Sequence, residues 1–124
     1  MQNYFKDNFN LNLKTTNYQS LKNNFITFQI DKNLSDEGYE LTIADDKIII
    51  CAKNDTGWFY ATQTLMQLCS YNTRYSKYEK YLTIKDIKIK DSPRFKWRSF
   101  MLDEARYFKG MKQVKMLLDE MAFL

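Results

Sequence analysis

The sequence contains no histidine, so this chain's own residues cannot assemble a Ser-His or Cys-His catalytic pair. Its two cysteines, Cys51 and Cys69, are too far apart for a Cys-x-x-Cys motif. Without further ligands they do not make a zinc site, so two half-buried free thiols and no metal are expected. One proline and three glycines punctuate 124 residues, so element boundaries must be read from changes in hydrophobic period. No apolar run approaches the ~18 residues that span a membrane, and no membrane contact is expected. The first ten residues lack the basic patch and apolar run of a secretory signal. The net charge is +4, from 19 basic and 15 acidic residues. The lysines are scattered, and Lys85, Lys88 and Lys90 alternate with apolar neighbours as on a solvated strand face. Nucleic-acid binders gather charge on one face, so no nucleic-acid partner is expected.

What is present is a chain with enough apolar and aromatic surface to fold. Hydrophobic residues make up 44% and aromatics 16%, including nine Tyr and nine Phe. That composition is globular rather than disordered. Tyr4, Phe5 and Phe9 have near-helical spacing and predict a short helix over 2–8. Leu11 and Leu13 alternate with polar neighbours and predict a short strand, followed by a polar loop over 15–24. Ile26, Phe28 and Ile30 alternate in a β-rich run. Tyr39, Leu41 and Ile43 alternate as well, and the short acidic turn Asp45-Asp46 leads into a third run over 47–52. The simplest reading of these last two runs is an antiparallel hairpin.

After Asn54-Asp55-Thr56-Gly57 the period becomes helical. Phe59, Thr62, Leu65, Met66 and Cys69 predict a helix over 57–70 with those residues on its apolar face. A Tyr-rich connection over 71–79 follows, then a strand over 81–90 whose parity switches near Lys85-Asp86, as at a bulge or break. Asp91-Ser92-Pro93 holds the single proline and reads as a boundary. Beyond it, residues 99–102 form a continuous apolar run, as in a strand buried on both faces. A loop over 103–110 then leads to a helix carrying Val114, Leu117, Leu118 and Met121. The fold expected is α+β: a small, mostly antiparallel sheet with a helix packed on one face, over residues 1–92. Residues 93–124 would add one βα unit, which buries little alone. Leu124 ends an apolar helix without a cap or polar tail, so the chain is expected to stop inside a larger second domain.

Three segments carry a family resemblance. Gly57-Trp58-Phe59-Tyr60-Ala61-Thr62-Gln63-Thr64-Leu65-Met66-Gln67-Leu68 resembles the Gly-x-x-Tyr-x-x-Gln-Thr-Leu-x-Gln-Leu helix of the α/β domain preceding the barrel in family 20 glycoside hydrolases. Asp91-Ser92-Pro93-Arg94-Phe95, with Arg98 after it, is similar to the linker that delivers the chain to that barrel. Leu102-Asp103-Glu104-Ala105-Arg106-Tyr107-Phe108 looks like the end of the first barrel strand and its loop, usually Leu-Asp-x-x-Arg-His-Phe. Linker and loop together, in order and at this separation, are the specific part of the match.

The resemblance implies an accessory α/β domain over 1–92, with the linker and first βα unit of a (β/α)8 barrel over 93–124. It implies a β-N-acetylhexosaminidase that removes terminal β-linked GlcNAc or GalNAc with retention, using the substrate's own acetamido group. Its partners would be glycans containing N-acetylhexosamine, and no cofactor is implied. The family's catalytic Asp-Glu pair belongs to a later barrel strand, so none of this chain's residues is assigned to catalysis and the chain alone is expected to be inactive. The adjacent pair Asp103-Glu104 is read as structural, with Asp103 capping or hydrogen-bonding in the loop. Arg106 is the one residue whose family counterpart grips the sugar's hydroxyls, and it stands just past a strand end, where barrel sites are built. A loop-stabilising ion pair with Asp103 is the structural alternative. Tyr107 departs from the family's usual histidine. Arg94 and Arg98 are expected to tie the linker in place with Asp91, while Trp58 and Tyr60 are expected to pack rather than to stack on sugar. Self-association through the exposed helix is a further expectation. The competing reading is a non-catalytic carbohydrate-binding or interaction module derived from the accessory domain. Family members are often secreted, periplasmic or lysosomal.

Overall fold

A hairpin sits at the centre of the sheet. In the computed structural model, which describes residues 1–16, 22–75, 84–103 and 105–124, β2 (Tyr39–Ala44) and β3 (Lys47–Ala52) pair antiparallel from Tyr39 opposite Ala52 to Ala44 opposite Lys47. The two-residue loop between them needs a left-handed residue, and Asp45 supplies it at φ 54°. The alternation read in β2 is the burial pattern found: Tyr39, Leu41 and Ile43 are buried. β4 (Ile87–Asp91) joins β2 antiparallel, with Ile89 opposite Leu41 and Lys90 opposite Glu40. β1 (Phe25–Ile30) lies on the far side of β3 and runs parallel to it. The order is β1-β3-β2-β4, with two of three pairings antiparallel, so the sheet is mixed.

The parallel pairing follows from the connection between β1 and β2. Residues 31–38 are long enough to carry the chain past β3 rather than turn it straight back. Asp31 N donates to Ala52 O at 2.9 Å, and Leu34 is buried under the crossing. β4 starts at Ile87, with residues 84–86 outside the ladder, so the expected break near Lys85-Asp86 is where the strand begins. Residues 81–83 of that expected strand lie outside the described residues.

Helix α2 (Asp55–Tyr75) packs on β2 and β3. Asn54 starts it, its Oδ1 accepting from Thr56 N at 3.0 Å and Gly57 N at 3.3 Å. The helix runs five residues past the expected end at Ser70, taking in part of the expected connection; the rest of that connection is outside the described residues. Its buried face is Ala61, Leu65, Met66 and Cys69, whereas Phe59 is 44% exposed. The apolar face expected through Phe59 is therefore rotated. Small residues at Gly57 and Ala61 meet the sheet, and the bulky ring points away. Full burial of Leu65 alone is worth about 1.5–3 kcal/mol.

α1 (Gln2–Phe9) buries Phe5. Tyr4 hydroxyl donates to Met66 O at 3.2 Å and also hydrogen-bonds Ser70 Oγ, which ties α1 to α2. Asn10 closes the helix in a left-handed conformation, and Leu11 N donates back to Phe5 O at 3.1 Å. That bond commits the amide of Leu11, and residues 11–16 form no strand, contrary to the sequence expectation.

The chain divides into two compact units, Met1–Ser92 and Pro93–Leu124. In the second, residues 99–102 have no neighbouring strand among the described residues. α3 (Met111–Phe123) begins after Gly110, whose φ of 89° favours glycine. α3 has no buried residue: Leu118 is 57% exposed, and Val114 and Leu117 are half-buried.

Candidate functional site

The loop after residues 99–102 is organised by one carboxylate. Asp103 Oδ1 accepts from Ala105 N at 3.1 Å and Arg106 N at 3.3 Å, closing a tight turn on the acid's own side chain. Oδ2 accepts from Arg106 Nε at 2.6 Å. The backbone N–H of Arg106, its side chain and the Ala105 N–H together hold the Asp103 carboxyl below its ordinary range. The sequence reading gave Asp103 a hydrogen-bonding role and offered the Arg106 ion pair as the structural alternative. The geometry contains both.

The ion pair does not use up the guanidinium. An arginine has five N–H donors in a planar fork, and the Asp103 bond occupies only Nε. The Arg106 side chain is 90% exposed. Its Nη edge faces no acceptor among the described residues, yet Asp103 fixes the plane in which that edge lies. A planar pair of donors with a defined orientation matches two neighbouring hydroxyls or a carboxylate. Lys109 Nζ sits 4.2 Å from the centroid of the Tyr107 ring, a cation–π contact that the sequence gave no sign of. Glu104 lies outside the described residues.

Trp58 and Tyr60 serve packing. Trp58 Nε1 donates to Gln29 O at 3.1 Å, and its ring meets Phe28 edge-on at 5.7 Å. Tyr60 hydroxyl donates to Glu37 Oε1 at 3.4 Å. Asp91 engages Ser92 N at 2.8 Å and Tyr39 hydroxyl at 3.5 Å, and Tyr39 also hydrogen-bonds Thr64 Oγ1 at 2.6 Å. Arg98 donates to Phe95 O. Both cysteines are free. Burial pushes the Cys69 thiol up to about 11; burial, then Glu40 and Asp31, raises that of Cys51. Neither is an activated nucleophile. The described residues contain no group of three or more His, Cys, Asp or Glu that could hold a metal, and no helix among them is long and apolar enough to cross a membrane.

Comparison with known proteins gives this geometry a context. The family model described as "Glycosyl hydrolase family 20, domain 2" matches residues 1–92, and that described as "Glycosyl hydrolase family 20, catalytic domain" matches residues 95–124. A Porphyromonas gingivalis beta-hexosaminidase is 37% identical over 90 residues, covering 72% of this chain and 12% of the relative. The N,N'-diacetylchitobiase of Vibrio harveyi is 36% identical over 84 residues, 68% of this chain and 9% of the relative. Among solved structures, the Bacteroides fragilis beta-N-acetylhexosaminidase superposes with a TM-score of 0.69 at 34% identity, over 79% of this chain and 19% of that one. The Vibrio harveyi exo beta-N-acetylglucosaminidase in complex with N-acetylglucosamine gives 0.74 at 28% identity, over 98% of this chain and 18% of that one. The chain thus spans only about a tenth of the length of these two curated relatives, 12% and 9%.

Proposed function

The chain belongs to glycosyl hydrolase family 20, and from that premise we propose that it supplies the accessory domain (residues 1–92) and the opening βα unit (residues 93–124) of a β-N-acetylhexosaminidase. That enzyme removes terminal β-linked GlcNAc or GalNAc with retention, the substrate's acetamido oxygen attacking the anomeric carbon. Arg106 binds two hydroxyls of the terminal sugar through its Nη edge. Asp103 holds the guanidinium in register for that contact.

The observation that carries this reading is the division of labour at Arg106. Its Nε is committed to Asp103 at 2.6 Å while the rest of the fork meets no acceptor among the described residues. Two free Nη donors in one plane suit two neighbouring hydroxyls of a sugar. The α3 residues Met116, Leu118 and Met121 are exposed, which supports self-association of the 124-residue chain through that helix. Turnover is the direct test. The purified 124-residue chain is expected to release no 4-nitrophenol from the β-GlcNAc glycoside, because its residues include no assigned proton donor or acetamido-orienting acid. Steady turnover by the chain alone would overturn that assignment.

A further inference from the structure

The two free edges of the sheet are guarded differently. Among the described residues, the order β1-β3-β2-β4 leaves β1 and β4 outermost. β4 carries Lys88, Lys90 and Asp91 in five residues, and both lysines pair with Glu40, at 3.3 and 2.9 Å. Charges of this kind block strand addition. β1, Phe25-Ile26-Thr27-Phe28-Gln29-Ile30, has six residues and no charge, proline or glycine. Such a strand is a template for pairing.

The register shows which of its amides are available. Gln29 stands opposite Cys51, and Asp31 N donates to Ala52 O. The odd-numbered residues therefore turn their backbone groups to β3, and Ile26, Phe28 and Ile30 turn theirs outward. The side chains of those same three residues lie on the α2 side of the sheet, in line with the buried Ile50 and Leu41. α2 packs along β2 and β3 and reaches β1 through Trp58, whose ring meets Phe28 and whose Nε1 donates to Gln29 O, leaving Phe28 and Ile30 partly uncovered. Phe28 is 40% and Ile30 65% exposed.

We propose that the β1 edge is a dimerisation surface, on which β1 of a second copy of this chain pairs antiparallel about a two-fold axis at Phe28. In that register Phe28 opposes the partner's Phe28, and Ile26 opposes the partner's Ile30. All three positions have outward amides, so each opposed pair exchanges both of its N–H···O bonds. Shifting by one residue would set an outward amide against an inward one. The partner is a second copy because β1 matches itself in charge, in amide parity and in side-chain face. β4 against β4 would bring lysines together, and β4 against β1 would set charged residues against an uncharged strand. The Phe28 rings, each already edge-on to Trp58, would meet across the axis and carry the apolar row from one sheet to the next.

Sedimentation equilibrium of the 124-residue chain, with residue-resolved amide hydrogen exchange over the same concentrations, tests this. With Leu118→Lys removing association through α3, a monomer–dimer equilibrium is expected, with exchange at Ile26, Phe28 and Ile30 slowing as the dimer forms. Ile30→Lys, at an exposed position where the monomer keeps its circular dichroism, is expected to weaken dimerisation by at least about tenfold. Leu118→Lys on α3 should leave that protection in place. The proposal is overturned if the chain stays monomeric at all concentrations, or if those amides exchange freely in the dimer. It is also overturned if they are protected already in a monomer, which would mean that another segment of the same chain holds the edge.

Discussion

The carbonyl oxygen of Gly38 occupies the space that a side chain on Gly57 would need. A Cβ at Gly57 would stand 2.5 Å from Gly38 O and 2.7 Å from Ala52 Cβ. Backbone oxygen and a core methyl cannot give way as a flexible side chain can. Gly57 is in the first turn of α2 and Gly38 immediately precedes β2, so their contact sets how closely helix and sheet approach. Gly57→Ala would gain helix propensity of about 0.8–1 kcal/mol. The overpacking, at about 1–3 kcal/mol, is the larger effect. A lowered melting temperature is expected in thermal unfolding, about 4–8 °C for each net kcal/mol lost. An unchanged or raised value would show that the helix can lift off the sheet without loss.

The two thiols should behave differently. Cys69 is buried on α2 and its thiol is pushed up to about 11, while Cys51 is half-buried on β3. In the folded chain a disulfide reagent is expected to modify Cys51 first and Cys69 only after denaturant is added. The raised thiol also gives a pH effect. From about pH 9, where an unfolded thiol starts to ionise, to about pH 11, the unfolded state gains ionisation that the folded state resists. Stability should therefore fall across that window in the wild type, and less steeply in Cys69→Ala. Equal modification rates for the two native thiols would contradict the buried placement of Cys69.

The Asp103 carboxyl offers a local probe of the loop. The Arg106 backbone and side chain hold it below its ordinary value of 3.8. A carboxyl whose folded value is depressed adds stability above its unfolded value, and that stability is lost as pH falls through the folded value. Carbon-detected NMR titration is expected to place Asp103 below 3.8, and Arg106→Gln should move it upward. An Asp103 that titrates identically in both proteins would show that the pair does not form in solution.

What could be read from sequence depended on whether a feature was local. The hairpin was legible because Tyr39, Leu41 and Ile43 alternate across a run that ends in an acidic turn. The hydrogen-bonding role of Asp103 was legible through the resemblance of Leu102-Asp103-x-x-Arg106 to the family's first-strand loop, where that acid is structural. The parallel seat of β1 was not, since it depends on how residues 31–38 cross β3 rather than on anything inside Phe25–Ile30. Nor was the outward turn of Phe59, because helical spacing alone allowed more than one face and Gly57 selected among them. Leu11 and Leu13 misled for a similar reason: two alternating leucines could not outweigh the closing hydrogen bond from Leu11 N to Phe5 O.

Arg106 can be tested where a complete barrel exists, by grafting residues 93–124 in place of the matching segment of a full-length family 20 enzyme. Lysine keeps the charge but presents no planar pair of donors, so Arg106→Lys in the graft separates geometry from charge. Losing one charge-assisted contact to the sugar corresponds to about 1.5–3 kcal/mol, or roughly 10- to 150-fold in kcat/KM. Asp103→Asn retains an oxygen for the two backbone amides but removes the charge at Nε, and a smaller loss is expected. Under the proposed role, in which Asp103 reaches substrate only through Arg106, the double variant should lose no more than Arg106→Lys alone. Additive losses would give Asp103 a contact of its own with the sugar. An unchanged kcat/KM in Arg106→Lys would return Arg106 to a loop-stabilising role, with the open Nη edge left without a function.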